Sequence, residues 1–302
     1  MLPARLDSVP MPLSDGLRLR RADAADLRRI AEMREAVGWS VHHWVLRAIL
    51  EPPHARCLVV VDLRGRVIGA GSGISYGRLG FIGNMVVDSE HRRRGIGAAI
   101  LRAVIEFLEA RGTTRMELHA TADGRPLYAR HGFELTGMSA LVRVQRGIGG
   151  IHDGIGGTAG IMLSDAGQEA AEELLAYDAP RFGGDRGGLL RIMLDDPHRP
   201  LSVARRDGEM VGYGWIRPDG ERVGPLLADT PDIAVALIGE AFDRLPNAKT
   251  LTLNLPPDNR AGSERLAQLG AELEPWDGRM ARGPLIPRRD KTIYGNVVGA
   301  LG

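Results

Sequence analysis

Residues 92–98 read Arg92-Arg93-Arg94-Gly95-Ile96-Gly97-Ala98, between an apolar run, Phe81 to Val87, and a helical pattern, Ala98 to Glu109. The order is strand, basic glycine-rich turn, helix start. Two glycines let the backbone turn tightly and come close to a ligand. The first amides of a helix lack partners within it, and the positive end of its dipole favours an anion. Three arginines add charge and forked donors. The stretch predicts a pyrophosphate cradle. It is not a Walker A loop, because no lysine follows the glycines. It is not a dinucleotide fingerprint, because position 100 is isoleucine rather than a third glycine. On these seven residues alone, a basic turn that merely starts a helix explains the composition equally well. The neighbours decide.

The chain has 302 residues, room for two domains of ordinary size. It is 44% hydrophobic and 25% charged, ordinary for a globular protein. A net charge of +1 gives no field to draw nucleic acid or an anionic membrane. Arg92 to Arg94 is isolated and lacks interleaved aromatics, which also argues against nucleic acid. Cys57 is the sole cysteine, so no internal disulfide forms, and its apolar run, Cys57 to Val61, reads as a buried strand. No apolar stretch approaches the roughly 18 residues of a membrane span. Met1 to Gly16 has no signal-peptide core, so a cytoplasmic location is expected. No metal is expected.

Gly147 to Gly160 holds seven glycines and reads as a linker. The segments on either side resemble each other. Leu58 to Gly71 (LVVVDLRGRVIGAG) aligns without a gap with Leu201 to Gly214 (LSVARRDGEMVGYG), an offset of 143, so that Gly65/Gly208, Gly69/Gly212 and Gly71/Gly214 coincide. Gly83 to Asp88 then matches Gly224 to Asp229 at offset 141, and Leu118 and Asp123 match Leu253 and Asp258 at offset 135. The second segment therefore lacks six residues, and Arg92 to Gly97 falls in that gap. Gly132 and Glu134 match Gly270 and Glu272. This is an internal duplication whose second copy has lost the anion turn.

Periodicity and turn signals give the first copy the order β, α, α, βββ, α, β, α, β. Its elements are a strand over Leu17–Arg20, helices over Ala24–Ala36 (capped by Asp23) and from Ser40 to Leu50, and strands over Arg56–Asp62, Arg66–Ser75 and Leu79–Val87. A helix over Ala98–Arg111, a strand over Arg115–Ala120, a short helix over Gly124–Arg130 and strand from Phe133 to Val144 follow. The expected division is an N-terminal extension over 1–16, a catalytic unit over 17–146, the linker over 147–160 and a degenerate copy over 161–302.

This order, with Arg92-x-x-Gly95-x-Gly97 after the fourth strand and Tyr128-Ala-Arg-His-Gly132-Phe133 further on, resembles the GNAT superfamily of acetyl-CoA-dependent N-acetyltransferases. The resemblance covers roughly residues 17–145. The second half is similar to a divergent domain that follows a GNAT domain in some bacterial proteins. Phe182-Gly-Gly-Asp185-Arg186, Gly224-Pro225-Leu226-x-Ala228, Arg279-Met280-x-Arg282-Gly283 and Tyr294-Gly295 carry that likeness. The implied fold class is α/β with mixed sheets (α+β): two tandem GNAT-like domains, each a mostly antiparallel sheet flanked by helices.

The resemblance implies acetyl-CoA as co-substrate and direct transfer of acetyl to a primary amine on a small molecule or peptide. It implies a splayed fourth strand whose Met85, Val86 and Val87 meet the pantetheine arm, the Met85 amide serving as oxyanion donor. Arg92, Arg93, Arg94, Gly95, Ile96, Gly97 and Ala98 are expected to hold the pyrophosphate, largely through backbone amides. Tyr128 is the candidate general acid, with simple packing against the cofactor sulfur as the competing reading. Thr121 stands where many family members have asparagine. Some members place a glutamate where this chain has Phe81, which cannot accept a proton, so the general base is open among Glu117, His119, His42, His43, a water chain and an amine arriving neutral. The second half lacks the turn, and its counterpart of Tyr128 is Leu266, so one active site is expected, in the first half. The competing functions are a silent acyl-CoA-binding or sensing protein and a mycothiol-synthase-like tandem acetyltransferase. The assembly is open, with a homodimer among the options.

Overall fold

The computed structural model describes residues 11–13, 16–39, 43–50, 54–148, 160–196, 201–217, 220–299 and 301–302. The expected helix cap at Ser40, the candidate base His42 and most of the glycine-rich stretch lie outside them. The first half runs β1 (Met11–Pro12), β2 (Arg18–Arg21), α1 (Leu27–Glu35), α2 (His43–Leu50), β3 (Ala55–Val61), β4 (Val67–Tyr76) and β5 (Leu79–Val87). It continues with α3 (Ile96–Glu109), β6 (Arg115–Ala120), α4 (Arg125–Ala129) and β7 (Glu134–Gln145). The second half repeats the order. It runs β8 (Ile161–Ala166), α5 (Ala171–Phe182), α6 (Gly187–Leu194), β9 (Leu201–Arg206), β10 (Glu209–Ile216) and β11 (Val223–Ala228). Then come α7 (Pro231–Arg244), β12 (Thr250–Leu255), α8 (Arg260–Gln268), β13 (Glu272–Arg282) and a last short strand, β14 (Ile293–Gly295).

The shared glycines have a packing reason. Gly69, Gly71 and Gly73 alternate along β4 and so line one face of the sheet. Added Cβ atoms there would meet α3 side chains, Ile96 at 2.8 Å from Gly69 and Val104 at 2.7 Å from Gly73. The stripe lets α3 settle onto the sheet. Gly212 does the same on β10, where a Cβ would lie 2.9 Å from Ile233 of α7. Asp88 and Asp229 also correspond: each donates its amide over 2.9 Å to the neighbouring strand, to Ile68 and to Val211. Each carboxylate pairs with an arginine of its half's first long helix, Asp88 with Arg29 and Asp229 with Arg181.

The sheets cross the halves. Among the described residues, one has nine strands in the order β1-β2-β3-β4-β5-β6-β13-β7-β12, the other five in the order β14-β11-β10-β9-β8. Two second-half strands thus belong to the first sheet, with β13 threaded between β6 and β7, antiparallel to both. The hydrophobic core joins the halves as well. Phe81 and Phe182 stack at 5.8 Å, Tyr76 meets Phe182 edge-on at 5.1 Å, and the Tyr76 hydroxyl donates to the Leu301 carbonyl over 2.9 Å. Burying aromatic side chains of this size stabilises by about 1.5–3 kcal/mol each. Phe81, whose position cannot serve as a base, thus has a structural task. Cys57 is buried as expected, and burial pushes its thiol up to about 12.

Candidate active site

The site begins where β5 leaves β6. Their parallel pairing covers only Leu79, Gly80 and Phe81, opposite Arg115, Met116 and Glu117. Beyond Phe81 the two strands part. On its other side β5 bulges against β4: Ala70 faces Val86 and Ser72 faces Gly83, so Asn84 and Met85 share one position. Asn84 takes a left-handed φ of 56° there. Its amide donates to Ser72 over 2.8 Å, and its carbonyl oxygen accepts from Arg34. From this point Gly83, Met85 and Val87 are half-buried, whereas Asn84 and Val86 are buried. The expected splay is present, and Met85 and Val87 flank it.

The basic turn lies at the end of this opening. Asp88 caps a single turn over Ser89–His91, and Arg92 is extended with its Nε donating to the Val87 carbonyl over 3.1 Å. Arg92, Arg93, Arg94 and Gly95 are exposed, Gly97 and Ala98 half-buried and Ile96 buried in the core. Gly95 holds the N-cap of α3 at φ 78°, left-handed, which favours glycine. The first amide of α3 with a carbonyl partner is that of Ala99, from Gly95 over 3.0 Å. Gly95 has no side chain to cap α3, and the first-turn amides of Ile96, Gly97 and Ala98 have no carbonyl of the helix to take, as an anion site requires. A Cβ on Gly97 would sit 3.5 Å from Leu127 and 3.7 Å from Val87, ordinary contact, so the protein itself has room for a side chain there.

The parted strands lead into a cleft of about 320 Å³. Asn84, Met85, His119, Thr121 and Tyr128 line it from the first half; Arg217, Arg222, Asn254, Trp276 and Asp277 line it from the second. A larger, more open concavity of about 640 Å³ lies over α1, but its charges satisfy one another (Arg20 on Asp26 at 2.6 Å) and no expected site residue lines it. The Tyr128 ring is 7% exposed and meets Phe133 edge-on at 6.1 Å. Burial, aided by the charge of Asp277, pushes its phenol well above the usual tyrosine range. It stays protonated near neutral pH, and burial makes it a weaker acid than a free tyrosine.

The strand β6 divides its two candidates. Glu117 is fully buried and accepts from Arg115 Nε (3.1 Å), Arg279 Nε (3.1 Å) and Arg288 (3.0 Å). Burial alone would raise its carboxyl, but Arg279 and Arg288 hold it down to about 2. Glu117 is therefore a structural anion and no base. His119 does reach the cleft, tilted against Trp276 at 5.1 Å, with Nε2 buried and without a hydrogen-bond partner among the described residues. Burial and the charge of Arg279 hold it down to about 3, so it is neutral near pH 7.

The second half does not rebuild this site. Its strand β11 reaches α7 through Asp229 and Thr230 alone, where the first half uses the eight residues 88–95. The Thr230 hydroxyl accepts from Ile233, capping the helix whose counterpart is left open. The tyrosine position fails too. Gly132 and Gly270 end their helices with left-handed φ of 81° and 94°. The next residue reaches back identically, Phe133 to the Tyr128 carbonyl and Ala271 to that of Leu266. Leu266 is the structural counterpart of Tyr128, and it is buried in the core.

Family comparison agrees with both copies. The Acetyltransferase (GNAT) family matches residues 24–133, and an Acetyltransferase (GNAT) domain matches residues 174–295. The chain belongs to the GNAT N-acetyltransferases. It is of the tandem type, with two such domains in one polypeptide. Among relatives of this GNAT protein is the uncharacterized N-acetyltransferase YitH of Bacillus subtilis, 25% identical over 245 residues, 80% of this chain and 83% of the relative. A mycothiol acetyltransferase of Clavibacter michiganensis subsp. michiganensis is 28% identical over 256 residues, 77% of this chain and 82% of the relative. Among solved structures, a Pyrococcus horikoshii protein shares the fold with a TM-score of 0.79 at 20% identity, over 97% of this chain and 98% of its own. A tandem GNAT protein from the clavulanic acid biosynthesis pathway has a TM-score of 0.60 at 17% identity, over 89% and 99%.

Sequence reading missed Trp276, Asp277, Arg217 and Arg222. They come from the half that lost its own anion turn, and no local motif surrounds them. Pro275 was the one available sign of a break in β13.

Proposed function

We propose that the protein transfers acetyl from acetyl-CoA directly to a primary amine, at one active site in the first half. The observation that carries this is the opening between β5 and β6, with Met85 of β5 lining the cleft that holds Tyr128 and the Arg92–Ala98 turn following the end of that strand. Acetyl-CoA would supply the acyl group on a thioester. The amides of Arg93 to Ala98, with the Arg92 side chain, hold the pyrophosphate. Met85 and Val87 present amides to the pantetheine arm, and the Met85 amide donates to the oxygen that gains charge. Tyr128, kept protonated by burial, gives its proton to the departing sulfur. Neither Glu117 nor a protonated His119 takes part in this scheme.

We assign the catalytic unit to 17–146, the linker to 147–160 and the degenerate copy to 161–302, with β12 and β13 of that copy walling the catalytic cleft. A cytoplasmic location follows from the use of acetyl-CoA. The test is thiol release from acetyl-CoA across an amine panel. Amine-dependent release that Tyr128→Phe suppresses supports the reading; binding without turnover on any amine points instead to a sensor. The mycothiol acetyltransferase relative favours a second reading, a cysteinyl amine acceptor. One such amine in the panel tests it.

A further inference from the structure

We propose that the acceptor is an amine that also carries an acidic group, a carboxylate or a phosphate, gripped at both ends by the second half of the chain. The inference rests on the acetyltransferase reading above. Among the described residues lining the cleft, the carboxylate is Asp277, and the guanidinium groups are Arg34, Arg217 and Arg222. Arg34 is engaged within the first half, by Asn84 and over the Trp39 ring at 5.7 Å. Arg217 and Arg222 come from the hairpin joining β10 to β11, where the Arg217 amide donates to the Arg222 carbonyl over 2.9 Å; Arg217 is buried and engaged, and half-buried Arg222 is the arginine offered to a ligand.

The two poles are built and kept apart by the sheet. Pro275 faces Ala140 and Gly278 faces Met138, so Trp276 and Asp277 together oppose the single residue Ser139. This is a β-bulge, the device that re-aims a side chain out of the alternation of a strand. It turns Asp277 into the cleft, where its charge acts on the Tyr128 phenol. The strands then run β13, β7, β12, and Arg222 bridges to Thr252 on β12. At a strand spacing of ~4.8 Å, three spacings separate the Asp277 and Arg222 backbones, roughly 14 Å measured along the sheet. Trp276 and Asn254 line the cleft with them.

An ammonium group fits beside Asp277, next to the proton donor, and an anion fits at the arginine end. Before attack the ammonium must lose a proton. The proton passes from its nitrogen to the Asp277 carboxylate, leaving a neutral amine and a carboxylic acid that returns the proton to solvent. Burial raises the Asp277 carboxyl against the opposing charge of Arg125 on α4, and the net rise improves it as an acceptor over an exposed carboxylate.

The test measures kcat/KM for a free amino acid, the same amino acid as its amide, its decarboxylated amine and an aminoalkyl phosphate, with acetyl-CoA affinity read by calorimetry. The acid or the phosphate is expected to exceed its uncharged counterpart by about tenfold or more, as charge-assisted hydrogen bonds to guanidinium allow. The better of the two names the anion. In Arg222→Ala that preference falls toward one while acetyl-CoA affinity holds. In Asp277→Asn kcat falls and its rise with pH shifts, again with acetyl-CoA affinity unchanged. Equal rates on charged and uncharged amines overturn the inference and leave the acetyltransferase reading standing. So does a loss of acetyl-CoA affinity in Arg222→Ala, which would assign that arginine to the cofactor. Acetyl-CoA binding without turnover of any amine overturns both.

Discussion

Gly278 of the second half lies opposite Ala120 of the first in the β13–β6 ladder. The strand that completes the wall beside Tyr128 therefore arrives from the far half of the chain. A single turnover site and a degenerate second copy are then compatible: the copy that lost its anion turn still supplies half of the cleft.

Tyr128→Phe removes the phenolic proton and keeps the ring that packs on Phe133. The expected result is a fall in kcat of about 10²–10⁴, the usual worth of a positioned acid, with acetyl-CoA affinity and melting temperature unchanged. Steady-state kinetics with calorimetry and thermal melting check this. Because burial raises the phenol, its ionisation should impose no basic limb on the rate profile near neutral pH. An unchanged kcat would leave Tyr128 with a packing role only.

The two glycines of the turn should separate folding from binding. Gly95 is left-handed at φ 78°, so Gly95→Ala strains the backbone by about 1 kcal/mol. The expected readout is a lower melting temperature in the absence of any ligand. Gly97 has room for a methyl group, with its nearest neighbour at 3.5 Å. Gly97→Ala should melt like the native chain yet bind acetyl-CoA more weakly, because in the proposed cradle the added methyl group would take space from the pyrophosphate. Equal affinity in Gly97→Ala would count against the proposed cradle.

The turn, the element order and the duplication were legible because each is written in adjacent residues. The six-residue deficit in the second copy became the short link through Asp229 and Thr230, and Leu266 took the tyrosine position as the alignment required. The exchange of β12 and β13 was not legible. An alternating strand buries the same face whichever sheet it joins, and partner choice is set by contacts far away in sequence. The same reason hid the tasks of Phe182, Arg186 and Arg279. Phe182 stacks on Phe81, Arg186 pairs with buried Asp178 at 2.8 Å, and Arg279 holds Glu117. Residues noted only as points of likeness prove to form the seam between the halves and its supports.

A chain split within 149–159 tests that seam. The first half alone lacks the strand that belongs between β6 and β7, and it leaves the Phe81 ring without Phe182. Expressed alone, it should be insoluble or loosely folded. Co-expressed, the two halves should purify as one complex and retain activity. Size-exclusion chromatography and the thiol-release assay check both. A well-folded, active first half on its own would contradict the shared sheet.

Glu117→Gln tests how strongly the halves depend on one buried anion. Glu117 answers Arg115 from its own strand and Arg279 and Arg288 from the second half. Removing its charge takes away the anion that three guanidinium groups share, with Arg279 keeping only its longer pair to Asp258 at 3.8 Å, a loss of about 3–5 kcal/mol for a broken buried network. The pH dependence follows from its carboxyl, held at about 2 in the folded chain against 4.5 for the free group. A lowered folded value means stability that is fully present above about 4.5 and is lost as pH falls toward 2. Denaturant unfolding at pH 7 should show the full gap between native chain and Glu117→Gln. At pH 3 the gap should shrink, because the native carboxylate is by then losing its advantage over the unfolded chain. A gap that stayed constant over this range would mean that the ion cluster contributes shape rather than charge.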